Sequence, residues 1–595
     1  MNDSNGQSKE KRTQMNADRM PAIKGVKGWM LLVGIGLVLT AIMVVTAAIQ
    51  PDNASSQSAN ATKHASLSQT LHVNLGSYPQ TLDPQKSSTG SDISHLKLLY
   101  EGLTRLDANL ETVPGAAEKW EYNSDATELT FTLRANLKYS DGSLLNAKRF
   151  EYSILRNIDP ATGSSTASLT DDILGAEEWR NADLSTTSPD QLASLKAAVK
   201  VQALDRKGNP CTGYDQKDCR FLKIGLKHPA SYFHTLMSLW ISYPAKQESI
   251  EIGGNNWWTF PQMQIGNGPM VLFSLEPNSK GLFTPNPNYW RGKARINIEV
   301  RYLNDSAAAL VAYRNGTFDI ISLDAGNLAD VEQDGSLNLE KKIYPGSCTD
   351  ALMFNPLKEP FTDQKIREAF SYAFDRGVYV NEVLKGLGVP TLTWIPKGFP
   401  GFDQAGNRFG FDAIQAQETL AASSYVSVEN LPGIVATYPD TPRNRTRWEW
   451  IAAKYTEILG VTITLNPVNA ATYASLTKDP NTSPQMILLS HCAAYPDPQD
   501  WLAVFLDSGV FSKQIGYSNP ELDALLMKAD SSTDPTERMS LYEEAQKTFV
   551  DTVPGVFINN NVNAFLVKPH VRGIQTTPMD SGWPGEIDPL AITID

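Results

Sequence analysis

Hydrophobic positions recur along this chain at two periods, and the switches between them sketch its elements. Leu129, Phe131 and Leu133 alternate with polar residues as a half-buried strand requires, and Asp141-Gly142 supplies a tight-turn dipeptide soon after. Asn146 then precedes a run in which Phe150, Ile154 and Ile158 share one helical face, until Asp159-Pro160 stops it. Period two returns at Ile296, Ile298, Val300 and Tyr302, whose even positions face a core. In the middle of the chain Thr362 is placed to cap a helix carrying Ile366, Ala369, Phe370, Ala373 and Phe374 as an i, i+3, i+4 stripe, ending near Gly386 and Gly388. A strand at 434–438, a helix at 448–459 with Gly460 just past its end and a strand at 461–465 read as a βαβ unit. Such a right-handed crossover implies an α/β layer, with ligands near the carboxyl ends of its strands. Asp534-Pro535-Thr536-Glu537 opens a further helix that runs to about Val550.

The longest apolar run lies near the amino terminus. From Trp29 to Ile49 no residue is charged, which at about 1.5 Å per residue is enough to cross a hydrocarbon layer of about 30 Å. Upstream, Lys9, Lys11, Arg12, Arg19, Lys24 and Lys27 outnumber Asp3, Glu10 and Asp18, so the flank is expected in the cytoplasm and the body outside. The run exceeds an ordinary signal h-region of about 7 to 15 residues, although Thr46, Ala47 and Ala48 could form a cleavage site. Residues 1–28 therefore read as a basic tail and 29–49 as a transmembrane anchor or signal segment. Residues 50–70 read as a polar tether.

A chain of 595 residues exceeds one core and divides, at about 100 to 200 residues per domain, into about three or four. Its net charge of −13, with 46 basic and 62 acidic residues beyond position 50, opposes nucleic-acid binding, which needs a concentrated basic surface. The four cysteines suit an oxidising compartment and lack metal-type C-x-x-C spacing. Cys211 and Cys219 bracket a polar loop, whereas Cys348 and Cys492 would pair over 144 residues; free buried thiols stay open as the alternative. No cysteine precedes Cys211, so lipid attachment at a processed N-terminal cysteine is not expected. No G-x-S-x-G elbow, H-E-x-x-H helix, phosphate-binding loop or G-x-G-x-x-G fingerprint occurs, so neither catalysis, a metal nor a cofactor is expected. His228 and His234 are close in sequence but poorly spaced for ligation. Twelve Trp, 21 Tyr and 21 Phe could line a deep cleft or simply fill large cores; Trp257-Trp258 and Tyr495 to Trp501 are the segments to inspect.

Seven segments in order carry a resemblance. They are LYEGLTRLD at 99–107, the stretch ELTFTLRANLKYSDGSLLNAKRFEYSILRNIDPATG at 128–163, IGNGPM at 265–270, NPNYW at 286–290, FNPLKEPFTDQKIREAFSYAFDR at 354–376, AAYPDPQDWL at 493–502 and GYSNPELDALLMKADSSTDPTERMSLYEEAQ at 516–546. Together they resemble the extracellular solute-binding proteins of family 5, the oligopeptide, dipeptide and nickel receptors of ABC importers, over about residues 70–575. The resemblance implies a two-lobe α/β periplasmic-binding-protein-like fold of class II, cluster C type, with an extra domain in the N-terminal lobe and here preceded by the N-terminal transmembrane helix. By analogy residues 71–105, 245–345 and 555–595 make the core of lobe 1, 106–244 its extra domain and 346–554 lobe 2. It also implies a disulfide between Cys348 and Cys492. The implied activity is capture of a solute by hinge closure, followed by delivery to permease subunits driven by separate cytoplasmic ATPases. A monomer is expected.

The ligand-binding residues implied are Ser87, Ser88, Thr89 and Gly90 on one wall, and Thr472, Tyr473, Leu488, His491, Ala493, Ala494, Tyr495 and Asp497 on the other. Oligopeptide receptors usually read C-A-D-Y after the cysteine, and that aspartate pairs with the peptide's ammonium. Here Ala494 takes its position, Leu488 an arginine's, and Thr472 and His491 those of tryptophans. A charged peptide end buried without a counter-ion costs several kcal/mol, more than a neutral hydrogen bond returns. The expected cargo is therefore a peptide or peptide-like molecule with blocked, modified or neutral ends, unless Asp497, Tyr473 or Asp92 compensates; Asp497 could instead only cap the following helix. An oligosaccharide or other neutral solute is the alternative within the class. A secreted hydrolase or transporter-independent sensor is the alternative outside it.

Overall fold

The computed structural model describes residues 69–595 except 404, 405, 407, 507, 508, 575, 576, 580–582 and 584–587. The basic tail, the apolar segment 29–49 and all but the last two residues of the tether lie outside the described residues. Among those described, no helix is long and apolar enough to cross a membrane.

The fold is organised by one nine-stranded mixed sheet. Its main path runs Met486–Cys492, Lys341–Phe354, Gly555–Val567, Ile320–Leu323, Thr70–Asn74, Asn297–Arg301, Lys280–Pro285 and Met270–Glu276, with Val389–Pro390 added on the strand Gly555–Val567. Thr70–Asn74 pairs in parallel with both neighbours, and the remaining pairings are antiparallel. The even positions of Asn297–Arg301, Ile298 and Val300, are wholly buried, as the period-two pattern requires. A second, four-stranded antiparallel sheet (Ala117–Tyr122, Glu128–Leu133, Phe221–Gly225, Val201–Leu204) buries Leu129, Phe131 and Leu133 beneath the helix Ala147–Ile158. Asn146 precedes that helix without capping it by side chain; its amide instead donates to Gly213 O (3.0 Å) and Gln216 O (3.1 Å) inside the Cys211–Cys219 loop.

The βαβ unit forms as Ile434–Pro439, Pro442–Leu459 and Ile463–Val468, and the two strands pair in parallel. Its helix starts six residues earlier than the apolar stripe suggests, because Thr441 caps it and Pro442 fits the first helical position. Gly460 ends it at a φ of 72°, a left-handed conformation that a Cβ disfavours. The helix expected from Thr362 is instead two helices, Gln364–Tyr372 and Arg376–Glu382. Asp363 and Asp375 cap them, while the Thr362 hydroxyl donates to Glu359. Pro535–Asp551 opens at Asp534, which accepts from Thr536 N and Glu537 N.

The strands Lys341–Phe354 and Gly555–Val567 are the longest among the described residues. Lys341 to Pro345 pair with Leu566 to Val562 on one side of a register break, and Thr349 to Met353 pair with Asn560 to Gly555 on the other. At the break Gly346, Ser347 and Cys348 stand opposite Asn561 alone, an insertion that bends and twists the ladder. Asn561 Oδ1 accepts from Cys348 N at 2.7 Å, and Asn560 Nδ2 donates to Thr349 Oγ1 at 2.7 Å. Cys348 faces Cys492 on the neighbouring strand, and the two are bonded as a disulfide. A Cβ on Gly346 would lie 2.3 Å from Asn561 Oδ1. Gly346→Ala is therefore expected to push the Asn561 amide off the Cys348 N–H, and a buried donor left unpaired costs about 1–3 kcal/mol. Urea denaturation should show a loss of that size; unchanged stability would mean that Asn561 has room to move.

Candidate functional site

An open cavity of about 210 Å³ is lined by segments far apart in the chain. One wall comes from the helix Gly90–Leu99 and the chain after it, through Gly90, Ile93, Glu101 and Arg105; the facing wall includes Ala493 and Ala494. Gly90 is thus brought together with Ala493 and Ala494 from 403 and 404 residues away in sequence.

The loop before the helix is held from beneath. Arg156 on the helix Ala147–Ile158 donates to both oxygens of Asp83 at 2.6 Å and to Gln85 Oε1 at 2.9 Å, while Trp257 Nε1 reaches Asp83 Oδ2 at 3.1 Å. Planar bidentate pairing of this kind fixes direction as well as distance. Ser87 is buried, its hydroxyl donating to Thr81 O and Asp83 O, and its carbonyl accepts from Trp240 Nε1 at 2.8 Å. Ser88 is exposed and Thr89 caps the helix by accepting from Asp92 N. Of these four residues Gly90 alone lines the cavity.

On the other wall, Ala493 N donates to Ser347 O at 2.9 Å, which ties the cavity floor to the register break. Ala494 N donates to Asp500 Oδ2 at 3.1 Å, and His491 Nε2 lies 3.3 Å from the same oxygen. A carboxylate therefore sits beside Ala494, supplied from six residues downstream. His491 stacks on Trp394 with centroids 5.8 Å apart, filling aromatic space with a heterocycle. Leu488 packs into the core around Phe354, and Tyr473 into the neighbouring core around Trp394. Burial drives the Tyr473 phenol up to about 12, so it presents a neutral hydroxyl. Thr472 is exposed on the helix Ala470–Leu476.

Neither candidate acid is available to a ligand ammonium. Asp497 is buried, accepts from Arg538 Nη1 at 2.9 Å and Nη2 at 2.6 Å, and caps the following helix through Gln499 N. Asp92 is buried and accepts from Gln80 N at 2.8 Å; burial pushes its carboxyl above the usual range. Trp257 and Trp501 are core residues, so the aromatic supply serves packing at both segments first inspected. Sequence reasoning passed over Arg105, Glu101 and Asp500. Glu101 is closed off by Tyr289 Oη and Trp290 Nε1, each donating at 2.5 Å. Only the clustering of Arg105 and Glu101 within LYEGLTRLD could have drawn notice.

The lobes also touch beside the cavity. Ser231 N donates to Asp530 O at 3.0 Å, and Tyr232 stacks on Tyr495 at 6.4 Å, which places Tyr495 in the hydrophobic cluster of the four-stranded sheet. Burial raises the Asp530 carboxyl to about 7; Asp497 adds to the rise, while the Tyr542 hydroxyl and Arg538 oppose it. The unfolded chain ionises Asp530 near pH 4 whereas the folded chain holds the proton to about 7, so this burial costs stability above pH 4 in growing measure and fully above 7. Asp530→Asn is expected to gain about 1–3 kcal/mol at pH 8 and nothing at pH 4, read from paired urea unfolding curves.

The dipeptide-binding protein DppE of Bacillus subtilis (strain 168) is 27% identical over 559 residues, covering 92% of this chain and 96% of its own. The periplasmic murein peptide-binding protein MppA of Escherichia coli (strain K12) is 28% identical over 508 residues, covering 83% and 88%. A solved structure of the MppA murein tripeptide-binding protein in its unliganded open form matches with a TM-score of 0.77 at 25% identity, covering 89% of this chain and 98% of that one. The profile of the bacterial extracellular solute-binding proteins, family 5, matches residues 111–513, and the chain belongs to that family.

Proposed function

We propose that this chain is the extracytoplasmic receptor of an ABC importer, capturing a peptide or peptide-like solute by lobe closure and handing it to membrane permease subunits. The observation that carries this reading is a cavity walled by Gly90 and Arg105 on one lobe and by Ala493 and Ala494 on the other, with its floor bonded to the register break through Ser347. A ligand there contacts both lobes only when they approach, so its binding energy favours the closed arrangement. Similarity to an open, unliganded receptor supports a ligand-free state with the lobes apart. Relatives named for dipeptide and murein peptide binding support the cargo class. Binding without turnover fits a cavity whose described carboxylates are already engaged in structural bonds: Glu101 with Tyr289 and Trp290, and Asp588 with Arg291.

The domain assignment of lobe 1 core, extra domain and lobe 2 at 71–105 with 245–345 and 555–595, 106–244, and 346–554 is part of this reading. So are a monomeric receptor and retention at the outer face of the membrane by residues 29–49. The two disulfides suit that oxidising compartment.

The full chain purified in detergent, denatured and analysed by mass spectrometry, is expected to release peptides or modified peptides. Adding the released fraction back to ligand-free protein should reduce the radius of gyration measured by small-angle X-ray scattering. Chemical conversion of the added molecules, or an unchanged scattering profile with bound cargo, would overturn the receptor reading.

A further inference from the structure

We infer that Arg105 is the anion anchor of the cleft, and that the cargo presents a carboxylate to the first lobe and no free ammonium to the second. This deepens the receptor reading and rests on it.

Arg105 sits at the centre of the short strand Thr104–Leu106 and lines the cavity. Its strand is held firmly: Thr104 Oγ1 donates to His234 O at 2.7 Å, and Leu106 packs into the second lobe's core. The Arg105 side chain makes no ion pair or hydrogen bond with any described residue, and its Nε is buried without a partner. A guanidinium beside low-dielectric walls with an unsatisfied buried N–H is an unstable arrangement unless something completes it.

The carboxylates among the described residues do not complete it. Among the described residues lining the cavity the acids are Glu101 and Asp588. Glu101 attracts Arg105 through space, but its oxygens are taken by Tyr289 and Trp290. Asp588 is paired with Arg291 at 2.8 Å. A ligand carboxylate offers what is missing: two coplanar acceptors for a planar fork of donors. The opposite wall is arranged for the converse end of a ligand. Ala494 carries no charge, and the nearby Asp500 oxygen is occupied by Ala494 N and faced by His491. Asp500 does not itself line the cavity, so an ammonium placed there faces Ala494 rather than a carboxylate, and an acylated or amide-capped nitrogen suits this wall better. Leu488, on the second lobe, supplies no cation either. The cleft's unmatched positive charge is therefore on the first lobe, and the recognised chemistry is a carboxylate, from a peptide's carboxyl end or from an acidic side chain.

Four pools of random tripeptides distinguish the possibilities by calorimetry on the full chain in detergent. The first is N-acetylated with a free carboxyl end. The second is N-acetylated and carboxamide-capped without Asp or Glu, the third is the same but with one Asp or Glu, and the fourth has a free amino end and a carboxamide cap. The first or third should bind at least tenfold more tightly than the second, and the fourth most weakly. Preference for the first assigns the carboxylate to the chain end, and preference for the third assigns it to a side chain. Arg105→Gln should erase the acid preference and Arg105→Lys should keep part of it, with the melting temperature of each showing that it folds. The wild-type comparison stands without either variant. Equal binding of the first three pools, or tightest binding of the fourth, overturns the assignment of Arg105 while leaving the receptor reading intact. Binding of no pool overturns the peptide reading itself, and this inference with it.

Discussion

The molecule depends on one pairing, that of Lys341–Phe354 with Gly555–Val567. Backbone ladders are strong only where register is kept, and this one loses register in its middle, where three residues face one. The consequence is a sheet that is continuous in connectivity yet has two rigid stretches joined by a short irregular one. On either side lie separate hydrophobic clusters, one including Val73, Ile298 and Phe565, others including Phe370 and Trp394. Close-packed cores resist deformation, so relative motion concentrates in the few residues outside them. Gly346 and Ser347 are such residues, and Ser347 also holds Ala493 at the cavity floor. The irregular stretch and the cavity wall are thus joined through one backbone hydrogen bond.

The cavity is shaped as much by what is already bonded as by what is open. Arg156 with Asp83, Arg538 with Asp497 and Glu101 with two aromatic donors remove charges from availability that composition alone would count as binding groups. A buried pair of this sort gives direction and rigidity more than net stability, because desolvation offsets most of the attraction. With those groups committed, Arg105 stands out, because its Nε is buried without a partner among the described residues.

Local patterning was legible wherever one face of an element is buried and the other solvated. The strand around Val300 and the helix from Pro535 appear as their periods and caps indicate. The helix at Pro442 was read too short because its first turn, with Arg443, Asn444 and Arg445, has no apolar stripe and starts on capping chemistry alone. Thr362 was credited with a cap that Asp363 makes, since neighbouring cap-competent residues differ only in backbone direction. The site was harder to read. That Gly90 and Ala494 share a cavity follows from the sheet joining distant segments, and the seven ordered motifs carried that information where periodicity could not. The role of Asp500 beside Ala494 was invisible because a helix turn, not sequence adjacency, brings the carboxylate back to that backbone. The fate of Asp497 depended on Arg538, 41 residues away.

The same central pairing has a meaning for biosynthesis. Thr70–Asn74 is made first, yet its neighbour Ile320–Leu323 finds its other partner only in Gly555–Val567, nearly the last strand to be translated. Contacts this distant in sequence close slowly, since loop entropy is lost before pairing rewards it. The first-made segments therefore wait, without their completed sheet, until residue 567 has left the ribosome. Until then the nine-stranded sheet lacks its middle, whereas the four-stranded sheet, whose last strand ends at Gly225, already has all its strands in hand.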